Sequence, residues 1–252
     1  MDLLVISIAS LFAGFVDSIV GGGGLVLVPT LFSVFPGAAP ATLFGTNKSA
    51  AIWGTAAATA QFSRRVSMRW RALVPAAVLA FAGALAGAWA VTKVSGDLLR
   101  RLLPFILLAL LLYTLARKDL GRDHRPTLAG RAETLAACGI GLLLGIYDGF
   151  FGPGTGSFLI FLFVRWLGYD FLHASASAKL LNTMTNLGAL LLFGLRGHVW
   201  WHIGLMMAVA NVAGSLIGTR AALRHGAGFV RGVFVLVVSA LILKTAYDAF
   251  LR

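Results

Sequence analysis

Two carboxylates and two lysines lie within apolar stretches of the sequence. Asp17 and Asp148 each precede a glycine-rich segment by one helical turn, and Lys48 and Lys179 lie 31 residues beyond them (48 − 17 and 179 − 148). A charged side chain within a bilayer is costly, so it is usually paired, protonated or directed at a polar cavity. In one interpretation the lysines attract an anion and the aspartates couple its movement to protons. In the other, these residues form structural Asp–Lys pairs or cap a broken helix.

Glycine-rich segments follow both aspartates, Gly-Gly-Gly-Gly at 21–24 and Gly-Pro-Gly-Thr-Gly at 152–156. Glycine and proline favour a turn or unwound backbone over continuous helix. A half-helix that begins inside a membrane directs unpaired N–H groups and its positive dipole end into the cavity, and glycine lets an anion approach them closely. A tight turn that only packs two helices is the structural alternative. The predicted anion-binding residues are Gly21, Gly22, Gly23, Gly24, Asn47, Lys48, Gly152, Gly154, Thr155, Gly156, Lys179 and Asn182.

The neighbouring Asn and Thr side chains have a structural alternative of their own. Polar residues of this kind often form hydrogen bonds between membrane helices. For each of them separately, that explanation is favoured over a place in a substrate pathway.

A single offset of 131 residues (148 − 17) relates the two halves of the chain. Matches among abundant Ala and Leu would mean little, but Asp, Lys, Trp and Arg match as well, which indicates an internal duplication. Whether an Asp–Lys pair forms within one half or between halves is left open. Besides the Asp and Lys pairs, the offset relates Gly14 to Gly145, Gly21 to Gly152, Gly23 to Gly154, Gly37 to Gly168, Arg65 to Arg196, Trp70 to Trp201, Gly83 to Gly214, Gly87 to Gly218 and Arg100 to Arg231.

The composition excludes an ordinary soluble domain. Hydrophobic residues make up 59% of the 252 residues and charged residues only 12%, against about 25% charged in soluble proteins. The net charge of +12 comes from basic residues in short loops, which favours contact with anionic lipid and not nucleic acid. The apolar runs cover 3–20, 25–35, 41–62, 72–92, 102–116, 134–150, 157–168, 171–194, 200–222 and 229–250.

These runs predict an all-α polytopic membrane protein with two inverted-topology repeats. Each repeat is a glycine-broken helical hairpin followed by three transmembrane helices. The first repeat spans 1–116, a central cytoplasmic loop spans 117–132, and the second repeat spans 133–252. The start of the chain lacks the positive region of a signal peptide, so the first run is expected to stay as a membrane helix.

An odd number of crossings per repeat inverts the second repeat, and the loop charges agree. Four arginines in 63–71, five basic residues in 117–131 and three in 220–231 assign these loops to the cytoplasm, whereas the second-half equivalent of 63–71 keeps only Arg196. Both termini then face outward. Three basic residues on the predicted outer side disagree: Lys93, Arg100 and Arg101.

Motifs for enzymes and cofactors are missing from the sequence. It contains no nucleophile elbow, Walker loop or dinucleotide fingerprint, and its five histidines lack metal-ligand spacing. Cys138 is the single cysteine, so no internal disulfide can form. We therefore expect no enzyme, no cofactor and no metal.

Two segments resemble a known family. One is Ala-Gly-Phe-Val-Asp-Ser-Ile-Val-Gly-Gly-Gly-Gly at 13–24, with Pro29 and Thr-Asn-Lys at 46–48. The other is Gly-Ile-Tyr-Asp-Gly-Phe-Phe-Gly-Pro-Gly-Thr-Gly-Ser at 145–157, with Ala-Lys-Leu-Leu-Asn at 178–182. Both resemble the sulfite exporter TauE/SafE family, also called the toluene sulfonate uptake permease family, and the similarity covers nearly the whole chain. It implies a multi-pass carrier in the bacterial inner membrane for sulfur-containing anions such as sulfite or organosulfonates.

The predicted function is a secondary transporter for such an anion, working by alternating access. The expected partners are the small anionic substrate, the lipid bilayer and a coupling ion, H⁺ or Na⁺, with assembly into a homo-oligomer left open. No nucleic acid is expected. The alternatives are a passive anion channel and a membrane assembly partner that transports nothing.

Overall fold

The structure of the protein is a computed structural model that describes residues 2–92 and 123–250. These residues form eight α-helices and no strand, which confirms the predicted all-α membrane fold. Five of the helices, α1, α4, α5, α7 and α8, are long and apolar enough to cross a membrane. The helices are α1 (Asp2–Val20), α2 (Gly23–Val34), α3 (Pro40–Ser63), α4 (Trp70–Val91), α5 (Gly130–Phe150), α6 (Thr155–Leu167), α7 (Phe171–Leu195) and α8 (Trp201–Phe250).

The helix boundaries follow the predicted apolar runs closely, with two differences. Helix α5 begins at Gly130, inside the predicted central loop, and the acidic Glu133 in its first turn suits a helix N-terminus. Helix α8 joins the last two predicted runs across Gly226, whose φ of 73° interrupts the helical backbone. The predicted run 102–116, the basic residues of 93–101 and the first part of the central loop lie outside the described residues.

Both predicted helix breaks occur at the glycine-rich segments. Gly21 and Gly152 adopt φ angles of 79° and 90°, which side chains other than glycine rarely tolerate. Helices α2 and α6, which follow the breaks, have 12 and 13 residues. At 1.5 Å per residue they extend about 18–20 Å, less than the hydrocarbon core of about 30 Å. Each therefore ends before it could cross the membrane.

Glycines let the helices of one half pack closely against those of the other. Helix α1 packs on α8, and α4 packs on α5. A Cβ atom at Gly14 would lie 2.1 Å from the carbonyl oxygen of Asn211, and one at Gly145 would lie 2.3 Å from that of Ala80. The offset of 131 residues relates both members of the two contacts. The duplication is therefore visible in the packing as well as in the sequence.

Helices α3 and α7, which the offset also relates, cross in the centre of the molecule and run in opposite directions. The start of α3 meets the end of α7, because a Cβ atom at Gly45 would lie 2.9 Å from Cβ of Phe193. Further along α3, the Thr59 hydroxyl lies 3.2 Å from that of Thr183, nearer the start of α7. Each helix thus presents its polar middle to the other.

The loops after α3 and α7 consequently lie at opposite ends of α3. The loop after α3 begins at Arg64, directly beyond its C-terminus. The loop after α7 reaches the N-terminal part of α3, where the backbone N–H of Trp200 donates to the Thr46 hydroxyl at 3.0 Å. About 27 Å of helix separates Thr46 from Arg64 at 1.5 Å per residue.

Candidate functional site

The two glycine-rich breaks touch each other in the interior of the molecule. The backbone N–H of Ser157 donates to the carbonyl of Gly21 at 3.1 Å, and the Ser157 hydroxyl donates to the carbonyl of Val20 at 2.8 Å. A Cβ atom at Gly21 would lie 2.2 Å from the carbonyl carbon of Gly156. Only glycine fits this contact, so these glycines bring the beginnings of α2 and α6 together.

Two interior ion pairs, one of them fully buried, cross between the halves beside this contact. Lys48 Nζ lies 2.6 Å from Asp148 Oδ2, and Lys179 Nζ lies 3.1 Å from Asp17 Oδ2. Lys179 also donates to the main-chain carbonyl of Asp17. Each pair therefore takes its aspartate from one half and its lysine from the other, which answers the question that the sequence leaves open. In such a pair, the mutual attraction of the two charges offsets the free energy needed to remove them from water. Loss of one partner leaves the other charge uncompensated.

A small polar cavity lies between the hairpins and the crossing helices. Its volume is about 30 Å³, room for one or two water molecules. Of the predicted site residues, only Gly22 and Lys179 do not line it. The lining residues are Asp17, Gly21, Gly23, Gly24, Asn47, Lys48, Asp148, Gly152, Gly154, Thr155, Gly156 and Asn182, together with Leu27, Ala51, Asn186 and Asn211.

Asp17 has two of the roles that the sequence suggests as alternatives. Its Oδ2 pairs with Lys179, and its Oδ1 accepts the backbone N–H of Gly23 at 3.2 Å. Gly23 is the first residue of α2, so this carboxylate also caps the helix that begins at the cavity. Asp17 thereby fixes α2 to α7.

Helices α2 and α6 both begin at the cavity wall. Gly24 and Gly156, the second residues of the two helices, line the cavity. The first four N–H groups of a helix have no partner within that helix, and the helix dipole places partial positive charge there. The two helix N-termini therefore bring partial positive charge to the cavity wall, while the two aspartates that line it are balanced by the lysines with which they pair.

The asparagines around the cavity differ in their hydrogen bonding. Asn186 Nδ2 donates to the Thr55 hydroxyl at 3.4 Å, and Asn211 Nδ2 donates to the main-chain carbonyl of Ser10 at 3.1 Å. Both join neighbouring helices, as polar residues in membrane proteins often do. Asn47 is 5% exposed, and its side-chain oxygen has no partner among the described residues. It is the asparagine best suited to meet a ligand.

Sequence reasoning missed Asn211 as a cavity residue. The offset of 131 relates it to Ala80 (211 − 131), so the repeat gave no signal for it. Asn186 is the equivalent of Thr55, the residue to which it donates. This hydrogen bond therefore joins equivalent positions of the two halves. A polar residue next to the Gly214 and Gly218 pair of α8 was the available signal for Asn211.

A second cluster of ionisable residues lies near the C-terminal end of α3, the end that Arg64 follows. His124, Asp170 and His173 each place a ligand-type atom within 4.8 Å of the others. Sequence reasoning missed this cluster because His124 and Asp170 are 46 residues apart (170 − 124). Burial and the neighbouring His173 lower the pKa of His124 below its ordinary value, which keeps its ring neutral at pH 7.

Ion pairs and hydrogen bonds join the loops around this cluster. Glu133 accepts from the Tyr169 hydroxyl at 2.6 Å and from Arg69 at 3.0 Å. Burial raises the pKa of Asp170, but hydrogen bonds from the His173 ring and backbone outweigh burial and lower the pKa below its ordinary value. The backbone N–H of Arg125 in the central loop donates to the carbonyl of Gly168 at 2.9 Å. The loop after α3, the central loop and the loop before α7 therefore meet on one face of the molecule.

Comparison with known proteins identifies relatives along the whole chain. The sequence is 36% identical over 247 residues to "Probable membrane transporter protein ORF9" of Sinorhizobium sp, covering 98% of this chain and 93% of that protein. It is 39% identical over 248 residues to "Probable membrane transporter protein YfcA" of Escherichia coli strain K12, covering 97% and 90%. A Haemophilus influenzae protein named "Probable membrane transporter protein" is 34% identical over 253 residues, covering 98% and 96%. No solved structure matches the chain.

The family comparison agrees with these relatives. Residues 6–245 match the family described as sulfite exporter TauE/SafE. Together with the five candidate spans, the bacterial relatives identify a multi-pass bacterial membrane protein. The glycine-broken hairpins and the two interior Asp–Lys pairs at their tips thus belong to a chain that is a member of the sulfite exporter TauE/SafE family.

Proposed function

We propose that the protein is a secondary transporter that carries a small anion across the bacterial inner membrane by alternating access. The family and the names of the relatives support a membrane transporter and argue against an enzyme. The observation that carries the anion assignment is the central cavity, where two half-helices begin and two Asp–Lys pairs meet.

The proposed substrate is an oxidised sulfur anion, such as sulfite or an organosulfonate. The family description supports sulfite, and the cavity offers donors that suit a sulfur oxyanion. The N-termini of both half-helices reach the cavity at Gly24 and Gly156, and a helix N-terminus attracts an anion. The side chain of Asn47, whose oxygen has no partner in the described parts of the chain, adds a neutral polar group that can rotate to donate its N–H₂ group.

The charges at the cavity suggest that a proton accompanies the anion. Lys48 is held by Asp148 at 2.6 Å, so it cannot attract an anion strongly while that carboxylate is ionised. Protonation of Asp148 would remove its negative charge and free the ammonium group for the anion. One proton then enters with one anionic charge, and the formal charge of the cavity stays at zero. Transport of a monovalent anion by this route is electroneutral.

The two ion pairs are proposed to have different roles. Lys48 and Asp148 both line the cavity, whereas Lys179 does not. Lys179 is fully buried, and both the carboxylate and the main-chain carbonyl of Asp17 hold it. We assign the Lys48–Asp148 pair to substrate and proton binding, and the Lys179–Asp17 pair to the structure of the hairpin contact.

The volume of the cavity indicates how the protein changes when substrate binds. About 30 Å³ holds one or two water molecules, and a sulfur oxyanion is larger than these. We therefore infer that the hairpin tips move apart when substrate binds. Two equivalent halves whose central helices run in opposite directions support a cycle in which the halves rock about the cavity as inverted repeats.

Uptake into proteoliposomes tests the proposal. Purified protein is reconstituted, and a panel of labelled sulfite and organosulfonates is offered with a proton gradient, with a Na⁺ gradient and with neither. We expect saturable uptake of at least one anion that the proton gradient accelerates. Saturation with substrate separates a carrier from a passive channel. If the wild-type protein moves none of these anions while a cation or a neutral solute flows, the anion proposal is wrong.

Matched aspartate variants test the assignment of the pairs. Asp148→Asn keeps the size of the side chain but cannot exchange a proton, so we expect proton-driven accumulation to be lost while counterflow of the anion continues. Asp17→Asn is expected to lower the thermal stability of the protein but to retain a proton dependence of uptake. The reverse result would exchange the two roles. Wild-type uptake by the protein with both aspartates replaced would show that neither carboxylate takes part in transport. Full cellular function of that variant without any uptake by the wild-type protein would favour a membrane assembly partner that transports nothing.

A further inference from the structure

The cluster formed by His124, Asp170 and His173 is separate from the central cavity and has no part in the proposed transport step. His124 belongs to the central loop, Asp170 is the N-cap of α7, and His173 lies in its first turn. Asp170 Oδ2 lies 2.8 Å from His173 Nδ1, and the two imidazole rings stack with their centroids 3.9 Å apart. Three side chains from two distant segments thus converge on one point.

The chemistry of these side chains is that of a borderline divalent metal site. Two imidazoles and one carboxylate suit Zn²⁺, whereas Ca²⁺ and Mg²⁺ prefer oxygen ligands alone. Nδ1 of His124 is buried and has no hydrogen-bond partner among the described residues, so an electron pair of this ring is available. We propose that His124, Asp170 and His173 form a Zn²⁺-binding site in which water completes a tetrahedral shell.

The positions of the three side chains fit such a site after a small movement. In a tetrahedral site the ligand atoms lie about 2.0–2.1 Å from Zn²⁺ and hence about 3.3 Å from one another. The ligand atoms here are separated by up to 4.8 Å, so none must move by more than about 1.5 Å. Rotation of the His124 ring out of its stack supplies this movement. His124 lies in a loop and not in a helix, so no helical backbone has to move with it.

The neighbouring charges favour a cation at this point. Asp170 has no Lys or Arg partner in the described parts of the chain, and the charge of Arg69 is offset by Glu133. The Ser67 hydroxyl lies 3.4 Å from Nε2 of His173, and an outer contact of this kind orients a metal-binding imidazole. One carboxylate whose ionic partner is an imidazole, and not a Lys or Arg in the described residues, therefore lies beside two imidazoles at the proposed ion.

An ion here would join the central loop to the helix that carries Lys179. His173 and Lys179 are six residues apart (179 − 173), about 9 Å along the helix. Zn²⁺ would thus connect the segment between the two halves with the beginning of α7. The expected consequence is a more stable protein and not a new reaction.

Metal titration of the full-length protein tests the site. The protein is purified in detergent with an affinity tag that contains no histidine, treated with chelator and titrated with Zn²⁺ by calorimetry and with Co²⁺ by visible absorption. We expect one equivalent of Zn²⁺ per chain, intense d–d bands of tetrahedral Co²⁺, and a higher apparent melting temperature with Zn²⁺. Absence of stoichiometric binding by the wild-type protein overturns the proposal.

Three variants keep the result unambiguous. His124→Ala and Asp170→Asn are expected to weaken Zn²⁺ binding by at least about tenfold, and asparagine retains the helix cap. His202→Ala removes an exposed histidine at the start of α8 and is expected to bind Zn²⁺ like the wild-type protein. Gel filtration and melting without metal establish that each variant is folded. Wild-type affinity in His124→Ala would contradict the assignment.

Discussion

At the scale of single residues, the charged side chains of the interior do not act alone. The sequence places Asp17, Lys48, Asp148 and Lys179 in apolar stretches and predicts that they are paired or face a cavity. It could not predict the partners, because pairing depends on how the two halves cross. The structure forms both pairs between the halves.

Removal of one charge from the structural pair should cost far more than removal of both. Lys179→Met leaves the carboxylate of Asp17 uncompensated, which we expect to destabilise the protein by about 3–5 kcal/mol. The double variant Asp17→Asn with Lys179→Met should recover most of this loss. The measurement is the apparent melting temperature in detergent. Arg125→Met serves as the control, because its pair with Asp123 is 84% and 68% exposed and such pairs contribute little. Equal destabilisation by the single and double variants would contradict the prediction.

The contact between the two hairpins leads to a second prediction about a single residue. Gly21→Ala combines a positive φ of 79° with a Cβ atom 2.2 Å from the backbone of Gly156. Alanine in this backbone conformation costs about 1–2 kcal/mol before any clash, so we expect loss of folded protein and of transport. Gly37→Ala should behave like the wild-type protein, because no atom lies within 4 Å of its Cβ position. The yield of monodisperse protein and the uptake of substrate are measured for both variants. Normal uptake by Gly21→Ala would disprove the close contact.

At the scale of helices, small residues determine which elements touch. The sequence predicts close helix approach at Gly83 and Gly87, and at Gly214 and Gly218, from their small-xxx-small spacing. The structure confirms close approach at all four positions. The sequence could not identify the partner helices, because spacing along one helix contains no information about the helix that it meets.

Matched glycine variants test this packing. Gly87→Ala places a Cβ atom 2.0 Å from the carbonyl oxygen of Ile146, whereas no atom lies within 4 Å of the Cβ position of Gly139. We expect Gly87→Ala to lower the apparent melting temperature of the purified protein. Gly139→Ala should leave it unchanged or raise it slightly, because alanine favours helix over glycine. Equal melting temperatures of the two variants would show that α4 and α5 do not approach this closely.

At the scale of the whole molecule, charge distinguishes two faces that the repeat would otherwise make alike. Four arginines, Arg64, Arg65, Arg220 and Arg224, surround a cavity of about 630 Å³ at the C-terminal end of α3. The offset of 131 relates Arg64 to Leu195 and Arg220 to Trp89, but it relates Arg65 and Arg224 to the basic residues Arg196 and Lys93. The equivalent position in the other half therefore has two basic residues and not four. The basic cavity is expected to face the cytoplasm.

Cysteine labelling tests the resulting orientation. Cys138 is first replaced by serine, and Arg65→Cys and Arg196→Cys are then introduced one at a time at equivalent positions. We expect a membrane-impermeant maleimide to label residue 196 in intact spheroplasts and residue 65 only after the membrane is opened. A permeant maleimide is the control for reactivity. Labelling of both positions from one and the same side would disprove the inverted arrangement and undermine the alternating-access proposal.

Each interior ion pair joins a residue that the ribosome makes early to one that it makes late. While only the first half has been synthesised, Asp17 and Lys48 have to enter the lipid without their final partners, at a considerable cost in free energy. A truncated chain of residues 1–116 should therefore be degraded rapidly by membrane proteases in a pulse-chase experiment, and co-expression of residues 117–252 should extend its lifetime. The survival of the newly made first half, and not only transport, then depends on prompt synthesis and insertion of the second half.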